Sequence, residues 1–244
     1  MSNIKLIALD MDGTLLNDDG IVTEYTKGVI EQALAQDIHV VLSTGRALPL
    51  CYPFAEELKL SSYIIASIGA EIWTVQKELL ERHTIDASII EYLWKVGVQK
   101  DHRMWLVAAD EVFTGQKAPN NFHDYKWLKM GYGSLTEADK KDLLSEFEKK
   151  IDQIEVTNSS LTNLEVNKKG VHKAAAIRSI CKRMNITMDE VLAAGDSVND
   201  LKMIEQVGVG VAMANAQDII KQAADYITVS NNEDGVAKAI ERFL

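Results

Sequence analysis

The chain is poor in cysteine. Cys51 and Cys181 are its only two, far apart, with no CxxC pair and no zinc-ligand spacing. Both sit among apolar neighbours, so they are expected as buried, reduced thiols and the expected compartment is the cytosol. Long apolar runs are missing as well. None reaches the length of a membrane span. The apolar run of the N-terminal "MSNIKLIALD" is short and ends in acid, which reads as a strand and not as a signal peptide. A basic surplus is also lacking: 26 Lys and Arg face 36 Asp and Glu, a formal net charge of -10. That argues against nucleic acid or an anionic membrane as partner. Internal repeats and low-complexity segments are absent from the sequence.

What is present supports a packed core. The composition is 47% hydrophobic and 25% charged, which excludes global disorder. A length of 244 residues suits one main domain with a smaller insertion. The N-terminal third alternates strand and helix. "IKLIAL" is a strand buried on both faces, a helix runs from about Thr23 (N-cap) to Gln36, and "IHVVLS" and "YIIAS" are the next strands. The alternation returns after His172 with "VLAAG", "VGVGVAM" and "YITV". This predicts an α/β fold, a doubly wound parallel sheet. Between the halves lies an α+β stretch. It has a helix capped by Asp86, strands in "RMWLVAAD" and "EVFTG", a capping-box helix opening at Thr136 and Asp139, and paired strands "QIEVT" and "LTNLEVN". The expected domains are therefore 1-83 with 167-244 as the core, and 84-166 as the insert.

In open parallel sheets, ligands bind beyond the carboxyl ends of the strands. Four polar clusters fall there: Asp10-Met11-Asp12-Gly13-Thr14, Thr44-Gly45-Arg46, Lys173 at a helix start, and Gly195-Asp196-Ser197-Val198-Asn199-Asp200. Asp10, Asp12 and Asp196 make a hard, oxygen-rich set with no His or Cys beside it, which favours magnesium over zinc. Lys173 and backbone N–H groups can neutralise phosphate oxygens, and Thr44 adds a hydroxyl donor. A carboxylate facing a phosphate between a metal and a lysine is a nucleophile. Met11 must point the other way, into core.

The four motifs "DMDGT", "STGR", "GVHKAAA" and "GDSVND", with "VGVGVAMANA" and "NNEDGVAKAI", resemble the haloacid dehalogenase (HAD) superfamily in its Cof-type branch, type IIB with a C2 cap. The resemblance spans the chain. It implies a Rossmann-like core with an inserted α+β cap, and a magnesium-dependent phosphatase that hydrolyses a small organic phosphomonoester through an aspartyl phosphate. Sugar phosphates, FMN and pyridoxal phosphate are among the family's substrates. By that resemblance Asp10 is the nucleophile and Asp12 the general acid and base. Asp10, the Asp12 carbonyl and Asp196 hold Mg2+, and Thr44 and Lys173 grip the phosphoryl group. Gly13, Gly45, Asn199 and Asp200 line the phosphate and the lysine. Arg46 is either a substrate contact or a structural ion pair. In the insert, Arg103 and Trp105 share a strand face and are candidate substrate contacts, beside Phe113, His123, Tyr125 and Trp127. The expected partner is a small phosphorylated metabolite, with no nucleic acid and no membrane, for a monomer or weak homodimer.

Two positions depart from the pattern. Ile68-Gly69 stands where many relatives have Asn-Gly, and His172 precedes the lysine where Ser is frequent. Neither removes a catalytic group. A phosphomutase or phosphotransferase of the same superfamily remains an alternative. So does, more remotely, a non-enzymatic phospho-accepting regulator, although its kind lacks an acid two residues after the phosphorylated one. A calcium loop from Asp10 fails because Leu15 and Ile21 occupy the places of its glycine and glutamate. Gly208-Val209-Gly210 lacks the third glycine of a dinucleotide fingerprint.

Overall fold

A computed structural model of the chain describes residues 4–115 and 117–244. The first three residues, with which the expected core domain begins, and Gln116 lie outside the described residues. The chain divides into two compact units, one running to Glu81 and resuming at Lys173, the other Arg82–His172. The second unit is longer than the expected 84-166. Its last strand continues to Lys168, and the Lys169 N–H then donates to the Gln153 carbonyl of the same unit, at 3.0 Å.

The first unit begins with β1 (Leu6–Leu9), α1 (Glu24–Leu34), β2 (His39–Ser43), α2 (Leu48–Glu57) and β3 (Tyr63–Ala66). β4 (Glu71–Thr74) and β5 (Leu79–Arg82) follow. Successive β1 residues enter opposite apolar clusters: Ile7 and Leu9 meet Val29, Ile30 and Ala33 of α1, while Leu6 and Ala8 face the other layer. A strand covered on both faces has no polar side to show, which explains its unbroken apolar run. Thr23 caps α1 by accepting the Thr26 N–H at 3.1 Å. β4 runs antiparallel to β3, so the sheet is mixed at this edge and not parallel throughout.

The second unit holds α3 (Ala87–Gln99), β6 (Arg103–Ala108), β7 (Val112–Thr114), β8 (Trp127–Gly133), α4 (Glu137–Phe147), β9 (Ile154–Thr157) and β10 (Leu164–Lys168). Its sheet has the order β7-β6-β8-β10-β9. One face, with Met104, Leu106, Met130, Tyr132 and Val166, packs on Ile90 and Leu93 of α3 and on Leu143 and Phe147 of α4. The expected Thr136/Asp139 capping box is present at α4.

The chain then returns to the first unit with α5 (Lys173–Met184), β11 (Val191–Gly195), α6 (Leu201–Gln206), β12 (Val209–Ala212), α7 (Asp218–Ala223), β13 (Tyr226–Ile227) and α8 (Gly235–Phe243). Ala174, Ile177 and Ile180 of α5 cover the Leu6 and Ala8 side of β1, while Val236, Ala237 and Ile240 of α8 join α1 on the other. The strand order is β13-β12-β11-β1-β2-β3-β4-β5. β1 pairs in parallel with both β2 and β11. The order therefore reverses at β1, and the crevice for a ligand opens between the carboxyl ends of β1 and β11.

Candidate active site

β1 and β11 end side by side, and the Asp10 N–H donates to the Ala194 carbonyl at 3.1 Å. Asp10 thus leaves β1 directly beside Asp196, the residue after β11. The left-handed Gly13 (φ +77°) lets the loop pass close to Asp196. A Cβ there would lie 2.7 Å from the Asp196 Oδ2, so only glycine fits. Asn215 Nδ2 donates to the Gly13 carbonyl at 2.8 Å, and Asn231 Nδ2 to the Leu16 carbonyl at 3.0 Å. Met11 is buried in the apolar cluster behind.

Lys173, the first residue of α5, is fully buried. Its Nζ donates to Asp10 Oδ1 and to Asp200 Oδ1, both at 2.6 Å. Asp200 is held in turn: its Oδ2 accepts the N–H groups of Asp196 and Ser197, each at 3.1 Å. Carboxylate oxygens of Asp10, Asp196 and Asp200 all lie within 4.8 Å of one another. One lysine faces three acids, of which Asp10 and Asp200 are buried and Asp196 half-buried, and the electrostatics follow. Burial, then repulsion from Asp200, pushes Asp10 from 3.8 up to about 7, against the pull of Lys173. Burial, then Asp10 and Asp200, pushes Asp196 up to about 8. Burial disfavours the charge on Lys173, but Asp10 and Asp200 outweigh it and raise its pKa.

Asp12 stands outside this cluster. Its side chain is 63% exposed and takes a two-pronged bond from Arg46: Nε to Oδ2 at 2.9 Å and Nη2 to Oδ1 at 2.5 Å. Arg46 is itself braced by the Phe54 ring, 5.5 Å from the guanidinium carbon. Of the two readings of Arg46, the structure has the ion pair. Thr44 is buried after β2, and its Oγ1 accepts the Arg46 N–H at 3.1 Å. Asn199 is buried, and its Oδ1 accepts from the Ser197 hydroxyl at 3.2 Å. Gly45 lies between Thr44 and Arg46 in the same loop. Ser67 and Ile68, both at positive φ, donate their N–H groups to the Arg46 and Thr44 carbonyls. Ile68 at φ 59° is strained, because a β-branched residue rarely enters the left-handed region.

Sequence reasoning missed Thr14, Asn215 and Asn231, whose side chains brace the loop or Asp196; the Thr14 hydroxyl donates to Asp196 Oδ1 at 3.4 Å. Thr14 stood in the quoted motif. Asn215 and Asn231 stood in the quoted "VGVGVAMANA" and "NNEDGVAKAI", where nothing local marked them as braces of the Asp10 loop.

In the second unit Trp105 and Arg103 share the sheet face opposite the helices, by their pairing with Gly131 and Gly133. Trp127 and Phe113 instead pack with Tyr125 and Phe122 in an aromatic cluster on the α3 side. Trp127 Nε1 donates to the Phe122 carbonyl at 2.8 Å. These are packing residues, and His123 is an exposed residue of the short turn Phe122–Asp124. Cys51 and Cys181 are both buried and in no disulfide, and burial pushes their thiols up to about 12 and about 11. No helix among the described residues is long and apolar enough to cross a membrane.

A doubly wound sheet with acids at its switch point, a buried lysine and a threonine after the next strand defines a class, and comparison with known proteins agrees. The family model for haloacid dehalogenase-like hydrolases matches residues 7–134 and 120–240. A Bacillus subtilis protein named 5-amino-6-(5-phospho-D-ribitylamino)uracil phosphatase is 43% identical, over 99% of this chain and 96% of its own. Among solved structures, a haloacid dehalogenase-like hydrolase from B. subtilis superposes with a TM-score of 0.91 at 26% identity, over 99% of this chain and 100% of that one. One from Bacteroides thetaiotaomicron gives 0.83 at 29%, over 99% and 100%. The chain belongs to the haloacid dehalogenase-like hydrolases, in their Cof-type branch. It is an enzyme of the phosphatase class.

Proposed function

We propose that the chain is a magnesium-dependent phosphatase that cleaves a small phosphomonoester through a phosphorylated Asp10. The substrate we propose is 5-amino-6-(5-phospho-D-ribitylamino)uracil or a close analogue. The observation that carries the chemistry is the surplus of acid around Lys173. Three carboxylates against one lysine, two of them buried and the third half-buried, fit a divalent cation, and their all-oxygen donor set fits magnesium. The substrate rests on the relative at 43% identity.

Asp10 and Asp196, with the Asp12 carbonyl, would hold the cation, and Asp200 would orient Lys173. Bound there, the cation would neutralise phosphate charge and keep Asp10 ionised. In the first step an Asp10 oxygen attacks phosphorus, the ester P–O bond breaks, and Asp12 gives a proton to the leaving oxygen. In the second, Asp12 takes a proton from the water that attacks the phosphoryl group, which frees phosphate and restores Asp10. Lys173 has a third N–H for a phosphoryl oxygen, and the Thr44 hydroxyl donates to another. Arg46 fixes the Asp12 carboxylate in one orientation. Gly13, Gly45 and Asn199 shape the loops around the phosphate. A cytosolic compartment is part of the proposal, supported by two thiols that form no disulfide.

The test is phosphate release from a panel of ribityl, sugar, flavin and pyridoxal phosphates, with magnesium, for wild type and Asp10→Asn. The ribitylaminouracil ester should give the highest kcat/KM and the variant none. A different preferred ester would sink the substrate and leave the chemistry. Phosphate that appears only when an acceptor alcohol is supplied would replace hydrolysis with phosphoryl transfer.

A further inference from the structure

The turn that carries Asp10 and Asp12 has a weak point at Gly13. Only glycine clears Asp196 there, yet a residue without a Cβ lets the peptide that follows it turn over at little cost. The turn's own bonds beside Gly13 are long. The Thr14 N–H donates to the Met11 carbonyl at 3.3 Å and the Leu15 N–H to the Asp10 carbonyl at 3.2 Å, against about 2.9–3.0 Å for an ordinary bond. A firm hold on the Gly13 peptide has to come from elsewhere in the first unit.

It comes from two asparagines, one before α7 and one before α8. Asn215 Nδ2 donates to the Gly13 carbonyl at 2.8 Å, a shorter bond than either of those two. An amide has two ends, and Asn231 sets which one faces the turn. The Asn231 backbone N–H donates to Asn215 Oδ1 at 3.1 Å, so the amino end of Asn215 is directed at Gly13. Asn231 is buried, and its own Nδ2 donates to the Leu16 carbonyl at 3.0 Å and to Asp18 Oδ1 at 3.1 Å. Its neighbour Asn232 ties only the far end of the segment. Asn232 Nδ2 donates to Asp18 Oδ2 at 2.9 Å, and its Oδ1 accepts the Asp18 N–H at 3.0 Å.

We propose that Asn215 and Asn231 are positioning residues for the active site, a relay that fixes the Gly13–Thr14 peptide and through it the Asp12 backbone and Asp196. Two parts of this turn meet Asp196: the Gly13 backbone, which passes close to it, and the Thr14 hydroxyl, which donates to its Oδ1 at 3.4 Å. Rotation of the peptide between them would displace both. Asn215 acts by donating to a carbonyl, so its N–H matters, and not its size. Asp at this place would keep the shape and still accept the Asn231 N–H, but would set a carboxylate oxygen against the Gly13 carbonyl. The hold on the turn stands apart from the phosphatase reading. Its effect on magnesium rests on that reading, in which Asp10, Asp196 and the Asp12 carbonyl are the ligands.

Hydrogen exchange and magnesium affinity test the relay, in Asn215→Asp, in Asn215→Ala and, for contrast, in Asn232→Ala. Asn215 is exposed, so its variants should fold. In exchange mass spectrometry with EDTA, the peptide over residues 10–16 should exchange at least about threefold faster in both Asn215 variants, and fastest in Asn215→Asp. Peptides over β2 and β11 should exchange as in wild type. The magnesium concentration that half-saturates the gain in Tm should rise at least about threefold in both Asn215 variants and stay within about twofold in Asn232→Ala. Unchanged exchange over residues 10–16 would overturn the proposal. So would faster exchange beside an unchanged magnesium half-saturation, or equal losses in Asn232→Ala, since either makes the contact structural only. Wild type that gains no stability from magnesium, with the turn's exchange quickened as expected, would sink the metal assignment and uphold the relay.

Discussion

Among the described residues two lysines are buried, and each donates to a carboxylate at 2.6 Å. Around Lys173, in the first unit, acids outnumber the lysine three to one. Around Lys129, in the second, one acid meets one lysine. The distances are the same and the deficits differ. The first cluster lacks positive charge, the deficit on which the proposed metal and phosphate site rests. The second is neutral, and only one of its oxygens, Glu165 Oε2, meets no donor among the described residues. Counting charges, and not measuring contacts, is what separates the two clusters.

The comparison can be broken most severely at Asp10. Asp10→Asn should lower phosphate release by at least about 10⁴-fold, because an amide is no nucleophile. It should not lower Tm, since it removes a buried like charge. Measurable turnover would end the nucleophile assignment. Next, Lys129→Met leaves Glu165 buried without its cation and should cost about 3–5 kcal/mol in denaturant unfolding. Turnover of acetyl phosphate per folded molecule should persist. Loss of that activity at full stability would make the neutral pair catalytic.

A third test uses pH and metal. Asp10 and Asp196 are raised from 3.8 to about 7 and about 8, so in metal-free protein their protonated forms favour the fold. That contribution is complete below about pH 4 and is lost as pH rises through both folded values. A divalent cation replaces those protons. Magnesium should therefore raise Tm more at about pH 9 than at about pH 5, by differential scanning in EDTA and in magnesium. An equal gain at both would remove the acidic cluster as its site.

Arg46→Lys should lower kcat about tenfold at constant KM, because an ammonium cannot hold both Asp12 oxygens in one plane. A change in KM alone would restore Arg46 as a substrate contact. The smallest effect is set by Thr136→Ala, which removes the α4 capping box and should cost about 1 kcal/mol with KM untouched.

Much of the first unit was legible in the sequence for a physical reason. A strand buried on both faces is an unbroken apolar run, so "IKLIAL" and "VLAAG" announce themselves and the polar residues that end them stand out. β4 and β5 are short, and much of their length is half-buried, so they gave no such contrast. β8 was hidden by its own packing. Gly131 and Gly133 make room for Trp105, Lys129 is polar at its centre, and a register shift opposite Val107 and Ala108 breaks its alternation. The partnerships Lys129–Glu165 and Arg46–Asp12 join residues 36 and 34 apart, which no local pattern carries.

The pairing of β1 also bears on how the chain is made. Its residues Leu6 to Leu9 bond on one side to His39 to Leu42 and on the other to Val191 to Ala194. On the ribosome the first neighbour emerges early, and the second only after the whole insert. Until then the strand that becomes the middle of the sheet is an edge, with open backbone groups and no lysine beside Asp10. The insert pairs β6 to β10 only with one another and need not wait. The newborn protein can thus complete the second unit's sheet before Lys173 reaches Asp10.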